Sequence, residues 1–442
     1  MINGAAANFN EERLMARLRW RIVPYIMLLY VVAVMDRVNL GFAALKMNES
    51  LGISASAFGM LAGIFFIAYF FFEVPSNIIM HRVGARRWIA RILISWGMVT
   101  VLIGFARTMT HVGILRFLLG MAEAGFYPCI ILYLTFWFPT RHFAKTISFF
   151  MCGQALANIT TGPISTWILD NIAWNGMESW RWLFVFEGLP AIILGVVTIF
   201  VLTDRPEQAT FLSTQEKEWL VDELRREHLA KTAKLKISKL AVFKQARVWH
   251  LSWCYICYVV ALYGLGMWVP QILRALSKVL SNFEIGLIST IPYICGIIAM
   301  FLVARHSDKT QERRRHVGLP ISAAFVGLIA LTMTSNLWLS LVFICVSTAA
   351  IYCFVGTFWT LPNLFLSEAT AAVGIAIINS VGNLGGFLGP YAVGFLKDAT
   401  GSTNAGMYFL ASFALMATVS VLLIPVDAQA LKARRTAKGA IA

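Results

Sequence analysis

Long apolar runs broken by short charged clusters make up almost the whole of this chain. Runs of about 20 apolar residues match a hydrocarbon layer of ~30 Å at 1.5 Å rise per residue. Twelve such runs are predicted as helices. They lie near 22–43, 55–79, 88–106, 111–136, 144–168 and 182–202, then near 248–272, 284–304, 316–335, 338–364, 371–395 and 405–425. The expected fold class is an all-α membrane protein of twelve transmembrane helices in two six-helix bundles.

One long hydrophilic stretch divides the helices six and six. The expected domains are an N-terminal bundle over 1–202, a cytoplasmic central loop over 203–247 and a C-terminal bundle over 248–442. The stretch opens on Asp204-Arg205-Pro206, and Ser213 and Glu216 then have capping-box spacing, which predicts an amphipathic helix through roughly Glu227. A shift of 227 positions carries Gly162-Pro163 onto Gly389-Pro390, His81 onto Asp308 and Ala144 onto Ala371. The halves therefore read as a parallel internal repeat, because the six helices between copies, an even number, preserve topology. Transporters built from repeats hold substrate near the midplane between the halves.

Composition supports a membrane reading. Of 442 residues, 59% are hydrophobic and 13% charged, whereas soluble domains run near about 25% charged. A net charge of +15 raises the question of nucleic acid, but that needs a basic patch on a soluble face. With the N-terminus in the cytoplasm, alternate loops collect about 29 of the 37 Lys and Arg and the opposite loops about six. Arg82, Arg86, Arg87 and Arg91, with Arg305, Lys309, Arg313, Arg314 and Arg315, carry most of this bias outside the central loop. Both termini are thus expected in the cytoplasm. The first apolar run, preceded by Glu11, Glu12 and Arg13, has no small-residue cleavage site and reads as a retained helix. All seven cysteines fall inside predicted spans, and the Cys254/Cys257 pair reads as packing rather than redox or metal chemistry.

A charge kept at the bilayer centre costs about 2.5 to 3.5 kcal/mol on insertion scales and demands a reason. Two acid-base pairs stand out: Asp36 with Arg37, and Arg116 with Glu123. Asp36 and Arg37 lie in the luminal half of the first helix and read either as a structural ion pair or as part of a site. Arg116 and Glu123 share a helix face about 10.5 Å apart along the axis, too far for a direct salt bridge. Each needs a partner on another helix, and Asp36 or Arg37 is the nearest supply. A buried guanidinium is a permanent, bidentate anchor for a carboxylate, and a desolvated carboxyl can take up and release a proton during a cycle. The substrate is therefore expected to be anionic and the coupling ion a proton.

All seven histidines fall in loops or near helix ends, which leaves Asp36 or Glu123 as proton carrier. Glu73, close to Pro75, is read as the remaining acid in a helix interior and as structural. Tyr69, Gln154, Asn158, Trp359, Asn379 and Asn383 could complete a polar cavity, although each alone also fits an interhelical contact. Gly382, Gly385, Gly386 and Gly389 permit either close packing or bending. No nucleophile-base-orienter set or metal-ligand cluster appears in the spans, so neither an enzyme nor a cofactor is expected.

HRVGARR and DKTQERR resemble degenerate copies of the loop signature of the major facilitator superfamily, with His81 where an Asp is usual and the acid kept as Asp308. MDRVNLGFA, RFLLGMAEAGFYP, WFPTRHFAKT, SWRWLFVFEGLPA, DRPEQATFLS and FWTLPNLFLSEATAAVGIAIINSVGNLGG are similar to the anion:cation symporter branch of that family. The resemblance implies that Asp36 and Glu123 handle protons, with Arg37 and Arg116 as the basic residues beside them. It also implies that Tyr69, Gln154, Trp359 and Asn379 contact substrate. Gly356 and Val34 stand where some sugar-acid members carry a polar residue and a tyrosine, so a less polar, aromatic carboxylate is as plausible as a sugar acid. The expectation is a monomeric inner-membrane symporter that moves a small organic carboxylate with protons by alternating access. A facilitated carrier or antiporter of organic anions, or a non-transporting anion sensor, is the alternative.

Overall fold

The computed structural model describes residues 10–234, 239–310, 312–362 and 368–424. The described residues form fifteen α-helices with no strand. In the first half these are α1 (Glu11–Ser50), α2 (Ala55–Val83), α3 (Ala85–Ile103), α4 (Met109–Glu123), α5 (Phe126–Thr135), α6 (Thr140–Asn171) and α7 (Ser179–Val201). Next comes α8 (Thr214–Lys234), followed by α9 (Ala246–Leu276), α10 (Asn282–Thr310), α11 (Arg314–Thr332) and α12 (Leu337–Phe358). The last three are α13 (Glu368–Asn383), α14 (Gly385–Thr400) and α15 (Thr403–Leu422).

Ten candidate spans among the described residues are long and apolar enough to cross a membrane. Helices α3 and α6 occupy the other two predicted spans, with Arg86, Arg87 and Arg91 in the first two turns of α3 and Arg141 and Lys145 in those of α6. Burial is inverted relative to a soluble protein: Arg116 and Glu123 are fully buried while Phe200 is 81% exposed and Phe301 66%. Such exposure of large apolar side chains fits a surface solvated by lipid.

The structure corrects three of the expected elements. The first helix begins at Glu11, so the acids expected to precede it form its first turn, where they complement the positive end of the helix dipole. The runs expected as single helices over 111–136 and 371–395 are each broken, the first at Ala124-Gly125 and the second at Leu384. Gly125 adopts φ +85, a left-handed conformation that side chains disfavour, and this turn ends α4 immediately after Glu123.

Other expectations map directly onto the structure. Ser213 and Glu216 form the reciprocal box at the start of α8: Ser213 N donates to Glu216 Oε2 at 2.9 Å and Glu216 N to Ser213 Oγ at 3.3 Å. His81 is third from the end of α2 and Asp308 third from the end of α10, while Pro163 and Pro390 both lie inside helices. Of the second loop signature, Gln311 falls outside the described residues, as do Lys432, Arg434, Arg435 and Lys438 of the C-terminal tail.

The chain divides into two compact units. The first contains residues up to 43 and 67–236, with α8 included. Its tightest packing sets α3 against α7, where glycines let the backbones approach. A Cβ on Gly97 would come 2.7 Å from Gly188 O, and one on Gly188 2.8 Å from Gly97 O. The second unit contains residues 44–66 together with 237 onward. Within it α9 packs against α13, α14 and α15. A Cβ on Gly389 would meet Val260 O at 2.4 Å, one on Gly385 Ile256 O at 2.7 Å, and one on Gly382 the Tyr255 ring at 2.1 Å. Close packing is therefore what these glycines serve here. The start of α2 is tied into this unit by the Phe58–Trp268 edge contact at 5.1 Å and the Phe66–Tyr263 contact at 4.4 Å.

Candidate functional site

The four interior charges of the sequence meet inside the first unit. Asp36 is 1% exposed, and Arg116 and Glu123 are sealed completely. Arg37 Nε donates to Glu123 Oε1 at 2.6 Å, and the Arg37 side chain keeps 19% of its exposure. This is the partner on another helix that the spacing of Arg116 and Glu123 required. Asp36 Oδ1 accepts from Thr100 Oγ1 at 2.8 Å and from Asn39 Nδ2 at 3.4 Å. Arg116 lies within electrostatic range of both Asp36 and Glu123. Two acids and two guanidiniums therefore form a cluster of zero formal charge in a medium where an unbalanced charge is costly.

Local structure explains the geometry. Asp36 and Arg37 are neighbours on α1 and point to different partners, one toward α3 and the other toward the end of α4. Glu123 is the last residue of α4, held at the break by the left-handed turn at Gly125. A Cβ at Gly125 would lie 2.5 Å from Ser76 Oγ, so the break seats directly on α2. Ser76 Oγ in turn accepts from Trp88 Nε1 at 3.0 Å.

The other predicted residues divide between the units. In the first, Arg37 stands over the Tyr69 ring at 5.0 Å, and Tyr69 is buried. Gln154 Oε1 on α6 accepts from Tyr30 Oη of α1 at 3.3 Å, and the Tyr30 ring lies 4.7 Å from Phe150. Trp359 and Asn379 lie in the second unit. Trp359 packs on Tyr255 at 4.9 Å and on Phe358 at 5.4 Å, and Asn379 is half-buried on α13. Glu73 is buried on α2, and its carbonyl accepts from Asn77 Nδ2 at 3.0 Å.

One expectation is incomplete: Glu73 is buried inside α2, but it is not the last of the interior acids. Glu187, in the middle of the segment SWRWLFVFEGLPA, is 5% exposed on α7 and accepts from Ser165 Oγ of α6 at 2.6 Å. The signal was present as a lone acid in an apolar run of α7. Thr100, Asn39 and Ser165 were invisible as site residues, since small polar groups in helices acquire a role only through the neighbours that tertiary packing brings. Among the described residues no group of three or more His, Cys, Asp or Glu is placed to hold a metal ion.

Comparison with known proteins gives this arrangement its class. The sequence model of the Major Facilitator Superfamily matches residues 26–390. A putative tartrate transporter of Agrobacterium vitis is 47% identical over 414 residues, which cover 94% of this chain and 95% of that one. A quinolone resistance transporter of Acinetobacter baumannii is 36% identical over 414 residues, covering 94% and 95%. Among solved structures, a bacterial homologue of the human lysosomal transporter Spinster superposes with a TM-score of 0.75 at 17% identity, covering 94% of this chain and 97% of that one. The fold and the buried charges are those of a polytopic membrane transport protein. The chain belongs to the major facilitator superfamily.

Proposed function

We propose that this protein is a proton-coupled importer of a small organic carboxylate, working by alternating access as a monomer in a cell inner membrane with both termini cytoplasmic. The observation that carries the reading is the Arg37–Glu123 bond at 2.6 Å. A carboxylate substrate needs a guanidinium, and in this cluster Glu123 already holds the more exposed one. Protonating Glu123 removes its claim on Arg37 and leaves a cation ready for the anion. One proton and one carboxylate enter together, and the cluster keeps its formal charge, which a low-dielectric interior strongly favours.

In this scheme Arg37 is the first contact for the substrate and Arg116 balances Asp36 and Glu123 from the buried side. Asp36 and Glu123 are the proton-handling acids. Tyr69 and Gln154 line the site in the first unit, and the selectivity role of Trp359 and Asn379 rests on the family resemblance alone. The name carried by the relative at 47% identity makes tartrate the first substrate to try, followed by sugar-derived and aromatic carboxylates.

The test is uptake of radiolabelled tartrate and of these other acids into proteoliposomes under an imposed inward proton gradient. Accumulation that collapses when the gradient is dissipated supports symport. Exchange indifferent to the gradient would instead make the protein a facilitated carrier or antiporter, and saturable binding without flux would make it an anion sensor. The relative named for quinolone resistance is a reason to run the assay in both directions with an aromatic carboxylate present.

A further inference from the structure

The last turns of α10 carry a concave basic surface that the buried cluster does not use. Phe301, Ala304, Arg305, Asp308 and Lys309 line an open groove there of about 430 Å³. An apolar stripe leads into it along the same helix. Ile291, Ile294, Ile298 and Phe301 are all exposed, and they follow one another in steps of three and four, which keeps them on one face. The stripe is about 15 Å long at 1.5 Å per residue, half of a ~30 Å hydrocarbon layer. Arg305 and Lys309 continue that face by further steps of four. One helix face therefore presents one leaflet's depth of apolar side chain and then two cations.

Those cations are uncommitted. The acid in the groove, Asp308, already has a counter-ion, because its Oδ1 accepts from Arg313 Nη1 at 2.6 Å. Arg314 is engaged elsewhere, donating from Nη1 to Ile424 O at 3.0 Å. Among the described residues neither Arg305 nor Lys309 makes a side-chain hydrogen bond or an ion pair, and both are exposed. They stand about 6 Å apart along the helix axis, so one phosphate can lie between an ammonium and a guanidinium. Long basic side chains at a helix end reach the headgroup region while their stems stay on apolar surface. The groove carries two positive charges without an internal anion. A zwitterionic headgroup would bring its own ammonium against them, whereas an anionic one would not.

We propose that the end of α10 binds one anionic phospholipid of the adjacent leaflet, which faces the cytoplasm in the orientation proposed above. Arg305 and Lys309 bridge its phosphate, and an acyl chain lies along Phe301, Ile298, Ile294 and Ile291. Phe301 forms the floor where chain and headgroup meet.

The test titrates the full-length protein in detergent with phosphatidylglycerol and with phosphatidylcholine of identical acyl chains, and counts bound lipid by native mass spectrometry. The first phosphatidylglycerol is expected to bind at least about tenfold tighter, since each basic residue near an anionic headgroup is worth a factor of about five. Arg305→Gln and Lys309→Gln should each lose about fivefold of that preference, and Arg87→Gln, in the first turn of α3, should lose none. Phe301→Ala should weaken both lipids alike. Equal affinity of wild type for the two lipids overturns the proposal, as does a full preference in Arg305→Gln/Lys309→Gln. Should the variants fail to fold, amine labelling of wild type in lipid nanodiscs decides. Lys309 should react several-fold more slowly in phosphatidylglycerol than in phosphatidylcholine while exposed Lys145 of α6 reacts alike in both; the same change at both lysines sinks the idea. Protection of Lys309 by inorganic phosphate without lipid would overturn it in favour of a soluble anion. Neither readout involves transport, so the symport reading stands or falls separately.

Discussion

Arg37 Nε donates to Glu123 Oε1 at 2.6 Å across 86 positions of sequence, and the two ends of this bond differ in access: Arg37 keeps 19% of its side-chain exposure whereas Glu123 has none. An anion arriving from water meets the guanidinium before it meets the acid. Under the proposed symport this bond is exchanged on substrate entry, with Glu123 as the internal stand-in for a substrate carboxylate.

Glu123→Gln should uncouple transport. The amide resembles the protonated acid and leaves Arg37 available, so substrate counterflow is expected to persist. Accumulation against a gradient should fall by roughly tenfold or more, the equivalent of at least about 1.4 kcal/mol of lost driving force. Paired accumulation and counterflow assays in proteoliposomes check this. Full accumulation in the variant would move the coupling role to Asp36.

Arg116 is expected to matter for stability as well as transport. Replacing it with Leu leaves Asp36 and Glu123 short of a cation in a buried cluster, a change that costs about 3 to 5 kcal/mol when one member of a buried pair is removed. Arg116→Lys keeps the charge but loses the planar fork, so it should fold and transport poorly. Unfolding in detergent should rank wild type above Arg116→Lys and Arg116→Leu last. Adding Glu123→Gln to Arg116→Leu should recover part of the loss, and a double variant no more stable than Arg116→Leu would disconnect the two residues.

Much of this was legible in the sequence. The spans were readable because a bilayer requires about 20 apolar residues in a row, and Asp36, Arg37, Arg116 and Glu123 were conspicuous because they interrupt such runs. The break at Gly125 was not readable, since EAGFYP continues an apolar pattern and only the φ of one glycine ends the helix. The grouping of 44–66 with the second unit was equally hidden, for α1 and α2 run unbroken through the boundary. Glu187 was visible but unweighed, and its neighbours Asn39 and Ser165 have no signature apart from the contacts they make.

Gly125→Ala tests the hidden break. The left-handed backbone at φ +85 costs a residue with a Cβ roughly 1 to 2 kcal/mol, and the added methyl would sit 2.5 Å from Ser76 Oγ and 2.7 Å from Ser76 Cβ. The steric part should be relieved by Ser76→Gly and the backbone part should not. Unfolding midpoints of the two single variants and the double variant separate them. Because Glu123 immediately precedes the turn, Gly125→Ala should also weaken uptake beyond what its stability loss explains, and wild-type uptake in that variant would show that the turn does not position Glu123.

Within the second unit, Asp398 of α14 caps α2 from outside its own helix. Its Oδ1 accepts from Ala55 N at 3.1 Å, and its Oδ2 accepts from Ser56 N at 2.7 Å and from Ser56 Oγ at 2.6 Å. Ser54 Oγ separately accepts from Ala57 N at 3.2 Å, so the first turn of α2 has both a local and a distant cap. Removing a capping side chain costs typically about 1 kcal/mol and up to about 2, and the charge adds the favourable interaction of an anion with a helix N-terminus. Asp398→Ala is therefore expected to lower the unfolding midpoint by more than Ser54→Ala does. Asp398→Asn, which keeps an acceptor and loses the charge, should fall between wild type and Asp398→Ala. The variants should carry substrate with unaltered proton dependence, because none of these groups touches the Asp36, Arg37, Arg116 and Glu123 cluster; a shift of the uptake pH profile in Asp398→Ala would tie the α2 cap to proton handling.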